Sequence, residues 1–130
     1  MTNLDLTQCT ALVVDDDEFS RDFIENVLLT IHCAQVWKAS DPVEALDLVR
    51  NHQPDFVFLD IYMPDTDGWA LLDKIRRTRP STAVIMITGS NLPADFGKSM
   101  GKQVDGYCIK PVLPDVMHKL MHKASLRRFH

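Results

Sequence analysis

Four consecutive acids, Asp15, Asp16, Asp17 and Glu18, follow the apolar run at residues 11–14. The macrodipole of a helix N-terminus favours acids, which accounts for Asp17 and Glu18 but not readily for all four. Carboxylates crowded in this way repel one another, and a hard cation with oxygen ligands, such as Mg²⁺, is the usual remedy. A further acid, Asp60, closes the run Phe56, Val57, Phe58, Leu59, so it lies at a core edge where its charge needs a partner. Beside a cation such a carboxylate is a nucleophile towards phosphorus, because covalent aspartyl phosphates are a known use of this side chain. Two more apolar runs end in Thr88 and in Lys110, the latter followed by Pro111. A hydroxyl and an ammonium converging on the carboxylates would donate to phosphoryl oxygens and offset their charge. Singly each residue has an ordinary explanation: a loop cap, a turn hydroxyl, an exposed lysine. Together they place complementary groups after four different apolar runs.

Those runs have to be positioned by a fold. Short apolar stretches alternate with amphipathic segments along the whole chain, the βαβα pattern of a parallel sheet covered by helices on both faces. The candidate strands are residues 11–14, 35–38, 56–59, 83–87 and 106–109. Phe19, Phe23, Ile24, Val27, Leu28 and Ile31 recur at helical spacing and form one apolar stripe of a first helix. A second helix opens with Asp41 as N-cap, Pro42 at the first helical position and Glu44 completing a capping box, and it ends before Pro54. A third covers residues 68–77, with Pro80 beyond it. A fourth, over residues 91–102, is weakened by Gly97 and Gly101, each costing about 1 kcal/mol relative to Ala. The last helix starts near Pro114 and buries Val116 or Met117, Leu120, Met121 and Ala124, with His118, Lys119, His122 and Lys123 towards water. Strict alternation predicts an α/β fold, a doubly wound three-layer αβα domain with a five-stranded parallel sheet, whose ligands bind at the carboxyl ends of the strands.

Composition sets the outer bounds. The chain has 130 residues, 45% hydrophobic and 25% charged, about one globular domain. A net charge of −4 offers no basic field for nucleic acid. No apolar run approaches the ~20 residues that cross a bilayer, and no signal-peptide pattern opens the chain, so the expected location is the cytoplasm, without a membrane partner. Cys9, Cys33 and Cys108 are odd in number and lack zinc spacing, which predicts reduced, mostly buried thiols.

The order of these residues resembles a response-regulator receiver domain of two-component (phosphorelay) signalling, over essentially the whole chain. Leu12, Val13, Val14, Asp15, Asp16 and Asp17 resemble its first-strand acidic motif, Asp60 to Gly68 its phosphoacceptor loop with Met63-Pro64 and Asp67-Gly68, and Lys110-Pro111 its closing pair. The resemblance implies the flavodoxin-like strand order 2-1-3-4-5, with residues 1–130 forming one receiver domain without an effector. It implies that Asp60 accepts phosphate from a histidine kinase or histidine phosphotransfer protein. Asp16, Asp60 and the backbone carbonyl of Tyr62 would hold Mg²⁺, with Asp15 acting through a water and Asp17 serving as helix N-cap. Lys110 would pair with phosphoryl oxygens across a cis peptide to Pro111. Thr88 would be drawn towards the new charge and Tyr107, the matching switch aromatic, would turn into the space left, with Gly89 giving it room. Tyr62 and Ser90 stand where similar domains admit water, so self-dephosphorylation is expected to be slow. The implied output face combines the fifth strand with the last two helices, where an effector domain or partner protein would dock.

A signalling switch of this kind is not classed as an enzyme, and the competing class is a Mg²⁺-dependent small-molecule phosphohydrolase with Asp60 as nucleophile. Such enzymes of the haloacid-dehalogenase type want a second acid two residues on, where this chain has Tyr62. A degenerate receiver is disfavoured because every chemical position is filled, and flavin binding because acids stand where phosphate-binding amides are needed. His118 and His122 are at i and i+4, but without a Cys or acidic companion they read as a solvated or partner-facing surface.

Overall fold

Parallel strands buried on both faces need apolar side chains on both, and the runs at 11–14, 56–59 and 83–87 meet that condition. The computed structural model describes residues 4–60, 62–64, 66–89 and 104–129. After a short 3-10 turn at Leu6–Gln8 come β1 (Thr10–Val14), α1 (Glu18–Thr30), β2 (Gln35–Ala39), α2 (Pro42–His52), β3 (Phe56–Leu59), α3 (Gly68–Thr78), β4 (Ala83–Thr88), β5 (Gly106–Ile109) and α4 (Pro114–Arg128). The sheet runs β2-β1-β3-β4-β5 with every pair parallel, the expected doubly wound order. Alternate residues of each central strand face opposite ways. Ala11, Val13, Phe56, Phe58, Ile85 and Ile87 join Ile24, Leu28, Met117 and Met121 of α1 and α4 in one core. Leu12, Val14, Val57, Leu59, Val84 and Met86 join Ala45, Val49, Leu72 and Ile75 of α2 and α3 in the other.

Local signals set the helix ends. Asp17, Asp41 and Asp67 are N-caps whose carboxylates accept from the N–H groups of Ser20, Glu44, and Trp69 with Ala70, as N-cap acids do. The capping box at α2 is shifted: Glu44 accepts from the N–H of Ser40 at 2.9 Å, one residue before the N-cap. α2 ends at Gln53 in the left-handed conformation (φ 47°) with Pro54 after it.

The structure corrects the expected burial of α1 and resolves the choice left open in α4. Phe19 is 86% exposed and Phe23 43%, so the apolar stripe is shorter than its sequence period, because α1 faces the sheet only through Ile24, Val27 and Leu28. In α4 Met117 is buried and Val116 exposed, while Leu120 is half-buried. Cys9 and Cys33 are buried and Cys108 half-buried, all as free thiols. Trp37 and Trp69 pack, half-buried, against the α2–α3 core, and Trp37 stacks on His52 at 4.4 Å between ring centroids. β4 takes in Thr88, which pairs in register with Ile109, so that residue is a strand terminus rather than a turn. The expected helix at 91–102 and Ser90 lie outside the described residues.

Candidate functional site

Register places the chemistry. Val14 of β1 pairs with Leu59 of β3, so the next residues, Asp15 and Asp60, leave neighbouring strands side by side, and the Asp60 N–H donates to the Val14 carbonyl at 3.0 Å. On the other side of Asp60, Thr88 ends β4 and Lys110 follows β5, tied by the Lys110 N–H to the Thr88 carbonyl at 2.7 Å. The Lys110–Pro111 peptide is cis.

Asp15 and Asp60 are 1% and 7% exposed. Lys110 Nζ reaches both, donating to Asp15 Oδ2 at 2.7 Å and to Asp60 Oδ2 at 3.1 Å. The Asp15 Oδ1 accepts from the Asp17 N–H and the Asp60 Oδ1 from the Tyr62 N–H, each at 2.9 Å. Burial pulls the Lys110 ammonium down, but the hydrogen bonds it donates to Asp15 and Asp60 outweigh it, so its pKa stands above the ordinary lysine value. Asp16 is exposed, and one carboxylate oxygen from each of Asp15, Asp16 and Asp60 lies within 4.8 Å of the others. Three neighbouring carboxylates with one ammonium bound to two of them leave the rim short of positive charge. An all-oxygen donor set of this kind suits a hard divalent cation.

The Thr88 Oγ1 is buried and has no hydrogen-bond partner among the described residues. A buried hydroxyl without a partner carries a desolvation cost, and this one belongs to the residue beside Lys110. Gly89 leaves space: a Cβ there would meet only Lys110 Cδ, at 4.0 Å. Tyr107, at 41% exposure, and Tyr62, at 50%, complete the rim residues expected from the sequence.

A family profile for the response regulator receiver domain matches residues 11–122. This chain belongs to that family. It is similar to the nitrate/nitrite response regulator protein NarL of Escherichia coli strain K12, 27% identical over 117 residues, covering 89% of this chain and 54% of that protein. It is also similar to response regulator MprA of Mycobacterium sp. strain KMS, 33% identical over 118 residues, covering 90% of this chain and 50% of that protein. The chain spans about half the length of the curated relatives it matches. Among solved structures, the CheY-like receiver domain protein of Methanospirillum hungatei JF-1 is 30% identical with a TM-score of 0.79, over 92% of this chain and 95% of that chain. A two-component response regulator from Clostridium difficile gives 26% and 0.81, over 95% and 99%. The receiver is thus a signalling domain of the phosphoacceptor-switch class of two-component systems, in a family that typically binds Mg²⁺.

Two features were not singled out in the sequence. Arg21 of α1 donates from Nη1 to the Asp15 carbonyl at 2.8 Å. At the opposite end of the sheet the Asp105 side chain, fully enclosed, accepts from Arg76, Arg127 and Arg128 at 2.9–3.1 Å and from the Val84 N–H at 2.9 Å. Neither carries a short motif, since each joins residues from separate elements or turns. His118 and His122 line, with Leu4, Lys119 and Lys123, a cavity of about 510 Å³ remote from the acidic rim in sequence and element. None of those lining residues is an acid or thiol. Among the described residues no helix is long and apolar enough to cross a membrane.

Proposed function

We propose that Asp60 is the phosphoacceptor of this receiver domain, taking a phosphoryl group from the phosphohistidine of a histidine kinase or histidine phosphotransfer protein. The observation that carries this reading is the join between Lys110 and the paired carboxylates of Asp15 and Asp60, beside a buried Thr88 hydroxyl without a partner among the described residues. The Asp60 carboxylate attacks phosphorus, the new O–P bond forms as the N–P bond breaks, and the electron pair returns to the imidazole of the donor. Lys110 moves its hydrogen bonds from carboxylate to phosphoryl oxygens, where its charge counters the growing negative charge. Thr88 donates its hydroxyl to another phosphoryl oxygen and so gains the partner it lacks. Asp16, Asp60 and the Tyr62 carbonyl would hold Mg²⁺, and Asp15 would act on it through water. The ion, when bound, offsets the repulsion between the carboxylates and the phosphoryl group.

Drawing Thr88 inward frees space for Tyr107, and the β5–α4 face shifts population towards its signalling state. The bulk of Tyr62 at the rim shields the aspartyl phosphate from water and slows its hydrolysis. The domain acts in the cytoplasm, without contact to nucleic acid of its own, and its output passes to an effector domain or partner protein. No observation favours the small-molecule phosphohydrolase.

Intact-mass measurement after incubation with acetyl phosphate tests the assignment. One phosphoryl adduct is expected in the presence of Mg²⁺, none after chelation and none in Asp60→Asn. An adduct that persists in Asp60→Asn would overturn it.

A further inference from the structure

We propose that Arg21 is a positioning residue for the cation site: it fixes the Asp15 backbone so that the carboxylates of Asp15 and Asp16 face Asp60. The proposal rests on the phosphoacceptor reading of the rim. Arg21 is the sole basic residue of α1 and stands in its first turn, where the helix macrodipole disfavours a cation. Asp15, Asp16, Asp17, Glu18 and Asp22 surround it in the chain, yet among the described residues it forms no ion pair with any of them. Its guanidinium is instead spent on a main-chain acceptor, the Asp15 carbonyl, at 2.8 Å.

That choice completes the restraint of Asp15. The Asp15 N–H donates to the Ala39 carbonyl of β2 at 3.1 Å. Its Oδ1 accepts from the Asp17 N–H and its Oδ2 from Lys110. The carbonyl is the remaining polar group, and Arg21 takes it. Arg21 is itself held, because its own N–H donates to the Asp17 carbonyl at 2.9 Å in the first helical hydrogen bond. Asp16 lies between two residues anchored in this way, and its side chain makes no hydrogen bond among the described residues, so its direction follows from the backbone on either side. A guanidinium bound to a carbonyl lowers the local negative potential while leaving the carboxylate oxygens of Asp16 open to a cation. An arginine paired with Asp16 would have occupied them.

Isothermal titration of the chain with Mg²⁺ tests this without any phosphoryl chemistry. Arg21→Met is expected to weaken Mg²⁺ binding about tenfold, the scale on which residues that orient metal ligands act, with the thermal midpoint little changed. Arg21→Lys, which keeps the charge but loses the planar fork, is expected to recover part of that loss. Should the Met variant unfold, Arg21→Lys alone decides, by weaker binding at an unchanged midpoint. Tighter binding in Arg21→Met would overturn the proposal by making Arg21 a competing cation. Unchanged affinity would overturn it by making the contact a staple of the helix start. Wild-type chain that binds no Mg²⁺ and gains no adduct from acetyl phosphate would instead remove the phosphoacceptor reading itself.

Discussion

The two ends of the sheet solve opposite electrostatic problems. At the carboxyl ends of the strands, three carboxylates, Asp15, Asp16 and Asp60, lie together, two of them bound by the ammonium of Lys110, and the Thr88 hydroxyl is buried without a partner among the described residues. At the amino end, the single carboxylate of Asp105 is enclosed by Arg76, Arg127 and Arg128 and also accepts from the Val84 N–H. The lower cluster draws α3, α4, β4 and β5 onto one acceptor, so the Asp105 carboxylate is answered within the fold, with positive charge in excess. The upper cluster has too little positive charge and a spare donor. A buried carboxylate met on every side by donors of the protein is a structural arrangement, whereas the upper rim, with negative charge in excess, suits the cation and phosphoryl group proposed for it.

If the lower end is structural, breaking it costs most. Asp105→Ala leaves three guanidiniums facing one another and is expected to destabilise the chain by about 3–5 kcal/mol, measured by urea unfolding with or without Mg²⁺. Lys110→Ala exposes the other side of the comparison. It is expected to cost about 2 kcal/mol in chelator, because Lys110 is partly exposed, and to regain much of that when Mg²⁺ supplies the missing charge. Equal losses in both buffers would mean that no cation replaces the ammonium.

Thr88→Val should reverse the usual sign. Removing a buried hydroxyl that lacks a partner is expected to raise stability by about 1 kcal/mol, while acetyl phosphate no longer changes the NMR resonances of the β5–α4 face. Cys9 tests whether the lower end stays closed. Burial, and then the charges of Asp55, Cys33 and Asp5, push its thiol up to about 12, above its unfolded value. The folded chain keeps this proton where the unfolded chain loses it, so the contribution is complete below about pH 9 and declines as pH rises towards 12. Between pH 8 and 9.5 wild type is expected to lose somewhat under 1 kcal/mol more than Cys9→Ala, read from urea midpoints. The smallest change in stability is expected for exposed Asp16→Asn, within about 0.5 kcal/mol, although calorimetry should show weakened Mg²⁺ binding. A large stability change with Mg²⁺ affinity intact would make Asp16 structural.

Most of the frame was legible along the chain. Residues 56–59 and 106–109 match β3 and β5, and the other strands are extended by one residue, since a run's apolar core is visible but its last pairing depends on the neighbour. The caps at Asp17, Asp41 and Asp67 act within one turn, so residue type and spacing reveal them. Phe19 and Phe23 show the limit of periodicity: they continue the helical period of Ile24 and Val27, but where a helix leaves the sheet depends on its docking angle. Arg21 was hidden for a related reason, because an arginine among acids suggests an ion pair and the structure gives it a carbonyl.

The sequence by itself determined which groups stand at the strand ends, since the same apolar runs that make buried strands stop at Asp15, Asp60, Thr88 and Lys110. It also determined the parallel alternating fold, through periods and caps whose energies act over a few residues. Only the tertiary structure decided which of those groups meet: that Lys110 bridges Asp15 and Asp60, that the Thr88 hydroxyl lacks a partner among the described residues, and that Asp105 collects three arginines. Contacts between residues far apart in the chain depend on strand register and helix docking, which are set by packing of the whole core.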